Sequence, residues 1–486
     1  MLLCIGIISA VVAYSTPTAL SHASKGQTAL VVVNIVGGLG DIGWAANIGR
    51  ELKKATGIQP TYLFVGSIAW ETIEHLNKRS DLGGAPEIIH DLSEVEPGQI
   101  GVYVCETAGP TMEDPDPKEI DAVGRKFDCI VLFCLDWKAL SALNGQSTNA
   151  EKKFIPVEEY GGSVEENSHQ RIRIFFQDYK EKYGLAVSEE DCVRLKLSAD
   201  EFYNRLGEKA KKQFNLEYVK ELEKKIGVGV PYNFVYYNLF ARRNTFDNLV
   251  ILLKRSLVRI AKLQGQNNKN SDKPITFLVN QLDLDREAKL EEDPQKALAQ
   301  AHITFGSDGV QQLYLAEINK TVRLVSYANL SPEAFEYFLL KSELVAGCTG
   351  DMSLTQVLSS KRIPVYEVLP HKQCLYTDGL NAPWIEALQE IDISVEKDLE
   401  AFPGLEEDAT KVSFSGMKVL TPENVRQAYP IFHSKLLQNA FSPWFKKRVE
   451  EIMKTKEPKQ HLLAEHSDKS LSDSYSNPKP MITSSA

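Results

Sequence analysis

Short runs of apolar residues that do not alternate with polar ones punctuate this chain. They include ALVVVNIV at 29–36, TYLFVG at 61–66, IGVYVCE at 100–106 and DCIVLFCL at 128–135. A strand with one wet face alternates apolar and polar residues. A continuous run buries both faces, and such strands belong to parallel sheets covered by helices on either side. EIIHDL at 87–92 and FIPVEEYGG at 154–162 complete this first series, and WAANIGRELKKATG supplies a helix with Gly57 as its stop. The same grammar restarts after Gly227, Gly229 and Pro231 with YNFVYYNL, followed by ITFLVN at 275–280, VRLVSYANL at 322–330, ELVAGC at 343–348 and IPVYEVL at 363–369. DNLVILLKRSLVRIAKL at 247–263, SPEAFEYFLLK and SLTQVLSSK read as its helices. The expected fold class is therefore α/β, with two successive domains over residues 29–227 and 228–454. A length of 486 residues is too great for one core and agrees with two.

Outside these domains lie an apolar N-terminal segment, 1–28, and a polar, Ser-rich tail, 455–486, whose composition predicts disorder. The N-terminal segment has the length of a signal peptide but lacks a basic start, and its unbroken apolar part is short for a membrane span. A signal or anchor, a packed element, and sequence lying upstream of the fold are its three readings, and membrane association depends on which holds. The seven cysteines include no C-x-x-C pair and several fall in strand-like runs, so buried reduced thiols are expected, with no disulfide framework and no metal site. A formal net charge of -10 disfavours a nucleic-acid partner.

Two loops carry the candidate chemistry. The first apolar run ends in NIVGGLGDIGW, in which Gly38, Gly40 and Gly43 fit G-x-G-x-x-G. Glycines let a ligand approach the free N–H groups of a helix start. A dinucleotide site, and with it an NAD(P)-dependent oxidoreductase, needs an acidic residue near the end of the second strand. Here FVGSIAW follows, with no acid until Glu71. The alternative use of the loop rests on Asp41, whose carboxylate at a helix N-terminus is held ionised and can orient or deprotonate a substrate. The same residue also fits a plain N-cap.

The second loop is richer. ELVAGCTGDMSLTQVLSSKRIPVYEVLPHKQ takes an apolar strand into Gly350, Asp351 and Ser353, where a helix opens. Gly350, Ser353 and the free N–H groups there can hold a diphosphate. Glu367, His371 and Lys372 fall near the carboxyl end of the following strand, where a carboxylate can take sugar hydroxyls and a lysine can neutralise a departing phosphate. Arg242 and Arg243 end another strand loop and are candidates for phosphate pairing. Asp283 and Asp285 form a D-x-D, the diphosphate–metal motif of a GT-A type transferase, which is a second alternative.

The two-lobed pattern resembles a GT-B glycosyltransferase, with two facing Rossmann-like domains and a cleft between them. The passage GDMSL…YEVLPHK is similar to the donor-binding segment of that superfamily, and GDIGWAANIGREL resembles the opening loop of bacterial protein-arginine rhamnosyltransferases. That resemblance implies that Asp41 is the acceptor-side catalytic carboxylate and that Asp351 matches the acid of the family's donor loop. It departs from the family at Gly37, where a further aspartate stands, and at Cys348 or Thr349, where an arginine precedes the loop glycine. It implies a metal-independent enzyme that transfers a hexose or deoxyhexose from a nucleotide-diphosphate sugar, with no cofactor. The acceptor is not identified, a protein being one candidate. The tail resembles the C-terminal signals of type IV secreted effectors, so a soluble protein is expected, cytosolic or secreted as a bacterial effector.

Overall fold

The structure, a computed structural model, describes residues 27–35, 39–65, 73–74, 76–77, 79, 82, 85–89, 94–103, 126–133, 154–158, 172–173, 197–237, 245–266, 274–368, 375–393, 402–406, 420–438 and 440–454. The N-terminal segment up to residue 26 and the tail from 455 lie outside them.

Seven strands form the first sheet: β1 (Ala29–Asn34), β2 (Thr61–Val65), β3 (Pro86–Ile89), β4 (Ile100–Tyr103), β5 (Cys129–Phe133), β6 (Phe154–Glu158) and β7 (Ile172–Arg173), with helix α1 (Leu39–Thr56) between the first two. Their order is β3-β4-β2-β1-β5-β6-β7, and every neighbouring pair is parallel. The reason is visible in β1. Val31 and Val33 enter one apolar core, while Leu30 and Val32 enter another on the opposite face. Tyr62 and Phe64 of β2 and Val131 and Phe133 of β5 join the first core; Leu63, Ile130 and Leu132 join the second.

Three helices follow: α2 (Ala199–Arg205), α3 (Glu208–Phe214) and α4 (Leu216–Ile226). The second sheet then holds β8 (Tyr232–Val235), β9 (Ile275–Asn280), β10 (Ile303–Phe305), β11 (Gln311–Leu315), β12 (Lys320–Tyr327), β13 (Val345–Thr349), β14 (Ile363–Val368) and β15 (Gly404–Glu406). Around and after it run α5 (Phe246–Gln264), α6 (Leu284–Ala288), α7 (Pro294–Ala301), α8 (Pro332–Lys341), α9 (Gly350–Ser359), a π-helical turn at Leu375–Leu380, α10 (Asn381–Gln389), α11 (Pro422–Gln438) and α12 (Phe441–Lys454). The order is β10-β11-β12-β9-β8-β13-β14-β15. From β12 to β15 all pairs are parallel, whereas β10 and β11 add an antiparallel edge to β12. Two α/β units with central parallel sheets are thus present, as the apolar runs predict.

Packing crosses the sequence boundary at 227 in both directions. Helices α3 and α4 pack against α8 and β12 of the second unit. Phe214 meets Tyr337 edge-on at 5.8 Å, the Tyr337 hydroxyl donates to Glu223 at 2.6 Å, and Arg323 donates to the carbonyl of Ile226 at 3.1 Å. The sequence assigns 199–226 to the first domain, but an amphipathic helix records how much of it is buried and not which sheet buries it. In the other direction, α12, the last described helix, packs against α1, β5 and β7 of the first unit. Its buried residues Phe441, Phe445, Val449 and Ile452 recur at helical spacing.

Close packing of α1 onto β2 depends on Gly49. A Cβ there would overlap the Tyr62 hydroxyl and stand 2.7 Å from its Cζ. Glycine to alanine within a helix ordinarily gains about 0.5–1 kcal/mol. Forced overpacking costs about 1–3 kcal/mol, so Gly49→Ala is expected to lower stability in urea unfolding; a stabilised variant would contradict this packing. Burial, opposed weakly by the Arg448 guanidinium, raises the Cys129 thiol from its ordinary value of 9.0 to about 12. The folded state therefore keeps a proton that the unfolded chain gives up. The thiol's contribution is complete below pH 9 and is lost between 9 and 12, reaching about 4 kcal/mol at the top of that window. Cys129→Ala is expected to flatten the alkaline limb of a stability–pH curve.

Candidate active site

Ligands of open parallel sheets lie outside the carboxyl ends of the strands, where the strand order reverses. In the first sheet, β1 continues to β2 on one side and has β5 on the other, so the reversal lies at the end of β1. Helix α1 begins there. In the second sheet, β8 continues to β9 on one side and has β13 on the other, and α9 begins at the end of β13. Both loops singled out in the sequence thus occupy reversal points, and the two helices that follow them touch. The Asn47 side-chain amide donates to the Met352 sulfur at 3.3 Å, and Met352 packs over Gly43.

At the start of α1, Asp41 is buried in the first turn. Gly40 also lies in that turn, while Gly38 falls outside the described residues. Gly43, the third glycine of that acceptor-side loop, is also where α1 meets the second unit.

The start of α9 is built by a sharp strand-to-helix turn. Gly350 has φ +69°, a backbone region that favours glycine. Thr349 sits at the N-cap with extended backbone but makes no side-chain cap. Only 2% of Thr349 is exposed, and its hydroxyl finds no hydrogen-bond partner among the described residues. Ser353, expected to present its hydroxyl to a diphosphate, donates it instead to the Thr349 carbonyl, one turn back, and is itself buried. The unpaired hydroxyl at this helix start is therefore that of Thr349. Asp351 belongs to the first turn of α9, but its side chain is outside the described residues.

Glu367 is buried in β14, directly across from Thr349 in the parallel register. Burial raises the Cys348 thiol well above the ordinary range, and the Glu367 carboxylate adds to the shift. Tyr236 is raised for the same two reasons, in the same order. Tyr236 and Tyr237 follow β8, although the run YNFVYYNL predicts a strand through both. The backbone N–H and C=O of Tyr237 are both held by the Asn280 side chain, at 2.9 and 3.0 Å. Its hydroxyl donates to the Val365 carbonyl at 3.0 Å, and its ring fills the space that a side chain at Gly347 would need.

His371, Lys372, Arg242 and Arg243 lie outside the described residues. The D-x-D carboxylates have structural tasks: Asp283 accepts from the Arg286 backbone N–H at 3.0 Å as the N-cap of α6, and Asp285 pairs with Lys289 at 2.6 Å. Among the described residues no helix is long and apolar enough to cross a membrane.

No protein-family model and no curated protein matches this sequence. Solved structures to which it is similar include MurG of Acinetobacter baumannii, at 11% identity over 89% of this chain and 96% of that one, with a TM-score of 0.35. A glycosyl transferase family 9 structure from Veillonella parvula is similar at 10% identity over 85% and 99%, with a TM-score of 0.31. CalG4, the calicheamicin glycosyltransferase, is similar at 12% identity over 89% and 100%, with a TM-score of 0.34.

A buried hydroxyl left unpaired costs about 1–3 kcal/mol relative to a methyl group of the same shape. Thr349→Val is therefore expected to leave the unliganded protein as stable as wild type or about 1 kcal/mol more stable in chemical unfolding. A clear loss would mean that the hydroxyl already has a partner.

Proposed function

We propose that this chain is a glycosyltransferase of GT-B architecture that takes a nucleotide-diphosphate sugar as donor. The observation that carries the reading is the uncapped start of α9, with the buried, unpartnered Thr349 hydroxyl, at the reversal point of the second sheet and against α1 of the first. Free N–H groups, a helix dipole and a spare hydroxyl favour an anion. The Asp41 turn of α1 is the complementary acceptor side, as its resemblance to the GDIG loop implies.

In this mechanism the donor diphosphate rests on the N–H groups opening α9 and on the Thr349 hydroxyl. Glu367 takes hydroxyls of the donor's ribose or sugar. Lys372, His371, Arg242 and Arg243 complete the donor side, and Asp351 stands at its acidic position. Gly350 and Ser353 hold the turn itself. An acceptor oxygen or nitrogen attacks the anomeric carbon while the bond to the diphosphate oxygen breaks. The electron pair leaves with the nucleotide diphosphate, and Asp41 orients the acceptor and receives its proton. Charge growing on the leaving group is met by fixed dipoles and cations, so the step needs no metal. The sugar is a hexose or deoxyhexose, and a protein is the acceptor class suggested by the likeness to arginine rhamnosyltransferases. The effector reading of the tail belongs to the same proposal.

Binding to the folded state raises its melting temperature. A panel of nucleotide sugars is expected to contain at least one that does so here. Thr349→Val should weaken that ligand about tenfold, the loss of one hydrogen bond to a charged oxygen. Asp41→Asn should bind it as wild type but turn over at least about 100-fold more slowly. Turnover should persist in excess chelator. Wild-type turnover by Asp41→Asn, or a panel in which nothing shifts the melting temperature, would defeat the assignment.

A further inference from the structure

The contact between the two helix starts is too specific to be incidental packing. Met352 lies three residues beyond Thr349, in the first turn of α9, and Gly43 lies two residues beyond Asp41, in the first turns of α1. A Cβ at position 43 would stand 3.0 Å from the Met352 Cγ and 3.6 Å from its Sδ and Cε. Contacts of 3.0 Å to a carbon are sterically tight, so a side chain at residue 43 would press on Met352 and require it to give way. One turn further along α1, Asn47 holds the thioether by its amide, at 3.3 Å. The direction of the methionine side chain is thus fixed at its sulfur as well as by the bare helix surface beneath it. α1 is simultaneously held from another side by α12. The element carrying the candidate acceptor carboxylate is therefore braced against both the donor-side helix and the returning C-terminal helix.

We infer that Gly43, Asn47 and Met352 form a spacer that sets the distance between the Asp41 turn and the Thr349 turn, and that they are positioning residues for the transfer reaction. This rests on the function proposed above. None of the three touches the reacting atoms in that scheme. They act by fixing how far the acceptor side stands from the donor diphosphate. Misplacing reacting groups by an ångström or so costs rate heavily while leaving each binding subsite intact.

The signature is a split between affinity and turnover. Gly43→Val adds bulk on the first unit, remote from the diphosphate, and pushes against Met352. Nucleotide-diphosphate affinity, read by thermal shift, is expected to stay within about twofold of wild type, while kcat falls at least about tenfold. Met352→Ala makes room, so Gly43→Val/Met352→Ala should recover most of the lost kcat, a coupling expected only of residues in contact. Gly43→Ala, a milder change, should fall between and serves if the valine variant does not fold. Asn47→Leu should lower kcat through loss of the thioether's anchor, with donor affinity again preserved.

The spacing can be read without any turnover. The separation between position 43 Cβ and Met352 Cγ, 3.0 Å, matches the distance of about 3 Å that a disulfide places between one Cβ and the opposite sulfur. The variant Gly43→Cys/Met352→Cys should form an intramolecular disulfide under mild oxidation, identified by peptide mass mapping and reversed by dithiothreitol. Failure of that cross-link, or a folded Gly43→Val protein with wild-type kcat, overturns the spacer. Absence of turnover and of nucleotide binding in the wild type overturns instead the transferase reading and the positioning role built on it, and the cross-link then judges the contact alone.

Discussion

Burial of the central strands on both faces is the constraint from which the rest follows. Val31 and Val33 commit one side of β1 to a core, and Leu30 and Val32 commit the other. Strands enclosed in this way pair in parallel, and parallel neighbours cannot be joined by a tight hairpin. The chain must leave by the carboxyl end and return over a covering helix. In each sheet this delivers one loop and one helix start to the place where the strand order reverses. Those two helix starts, of α1 and α9, are what meet across the molecule. The site is a by-product of the topology before any side chain is chosen. The side chains then decide its chemistry: an aspartate in one turn, and in the other a glycine at φ +69° with a hydroxyl that the fold leaves unused.

Local interactions around the second turn leave that hydroxyl without a partner among the described residues. Ser353 satisfies the Thr349 carbonyl, so the N-cap residue is anchored through its backbone while its side chain has no structural partner among the described residues. Tyr237, pinned at its backbone by Asn280 and at its hydroxyl by Val365, stiffens the neighbouring strand end. Gly347 is required for that ring to lie where it does. The Thr349 hydroxyl is thus an unsatisfied polar group set in well-anchored surroundings, and leaving it unpaired costs stability locally.

Much of this was legible in the sequence, and the reasons differ by element. ITFLVN is β9 to the residue, and IPVYEVL is β14 within one residue, because a parallel strand buried on both faces is mostly apolar and so stands out from its flanks, even with Thr276, Asn280 and Glu367 among the buried positions. β10, β11 and β15 left no such mark. β10 and β15 are the sheet's two edge strands and β11 lies next to one of them, where polar side chains such as Thr304, Gln311 and Gln312 are tolerated. The loops at Gly40–Asp41 and Gly350–Ser353 were found because glycine next to a helix start is a local signal. What no local signal could supply was the far partner of each residue. Ser353 donates to the carbonyl four residues back, and Met352, some three hundred residues away in sequence, lies over Gly43. The destinations of 199–226 and of α12 were hidden for the same reason.

The return of α12 to α1 has a consequence for how the molecule comes into being. A ribosome releases the strands of the first sheet early, but α12, which packs against α1, β5 and β7 and buries Phe441, Phe445, Val449 and Ile452, is made only after the whole of the second sheet. The unit begun first is therefore completed last. During synthesis the nascent first sheet waits with one flank of α1 uncovered, while the second can close over its own core and, by folding, carry the missing helix back into place.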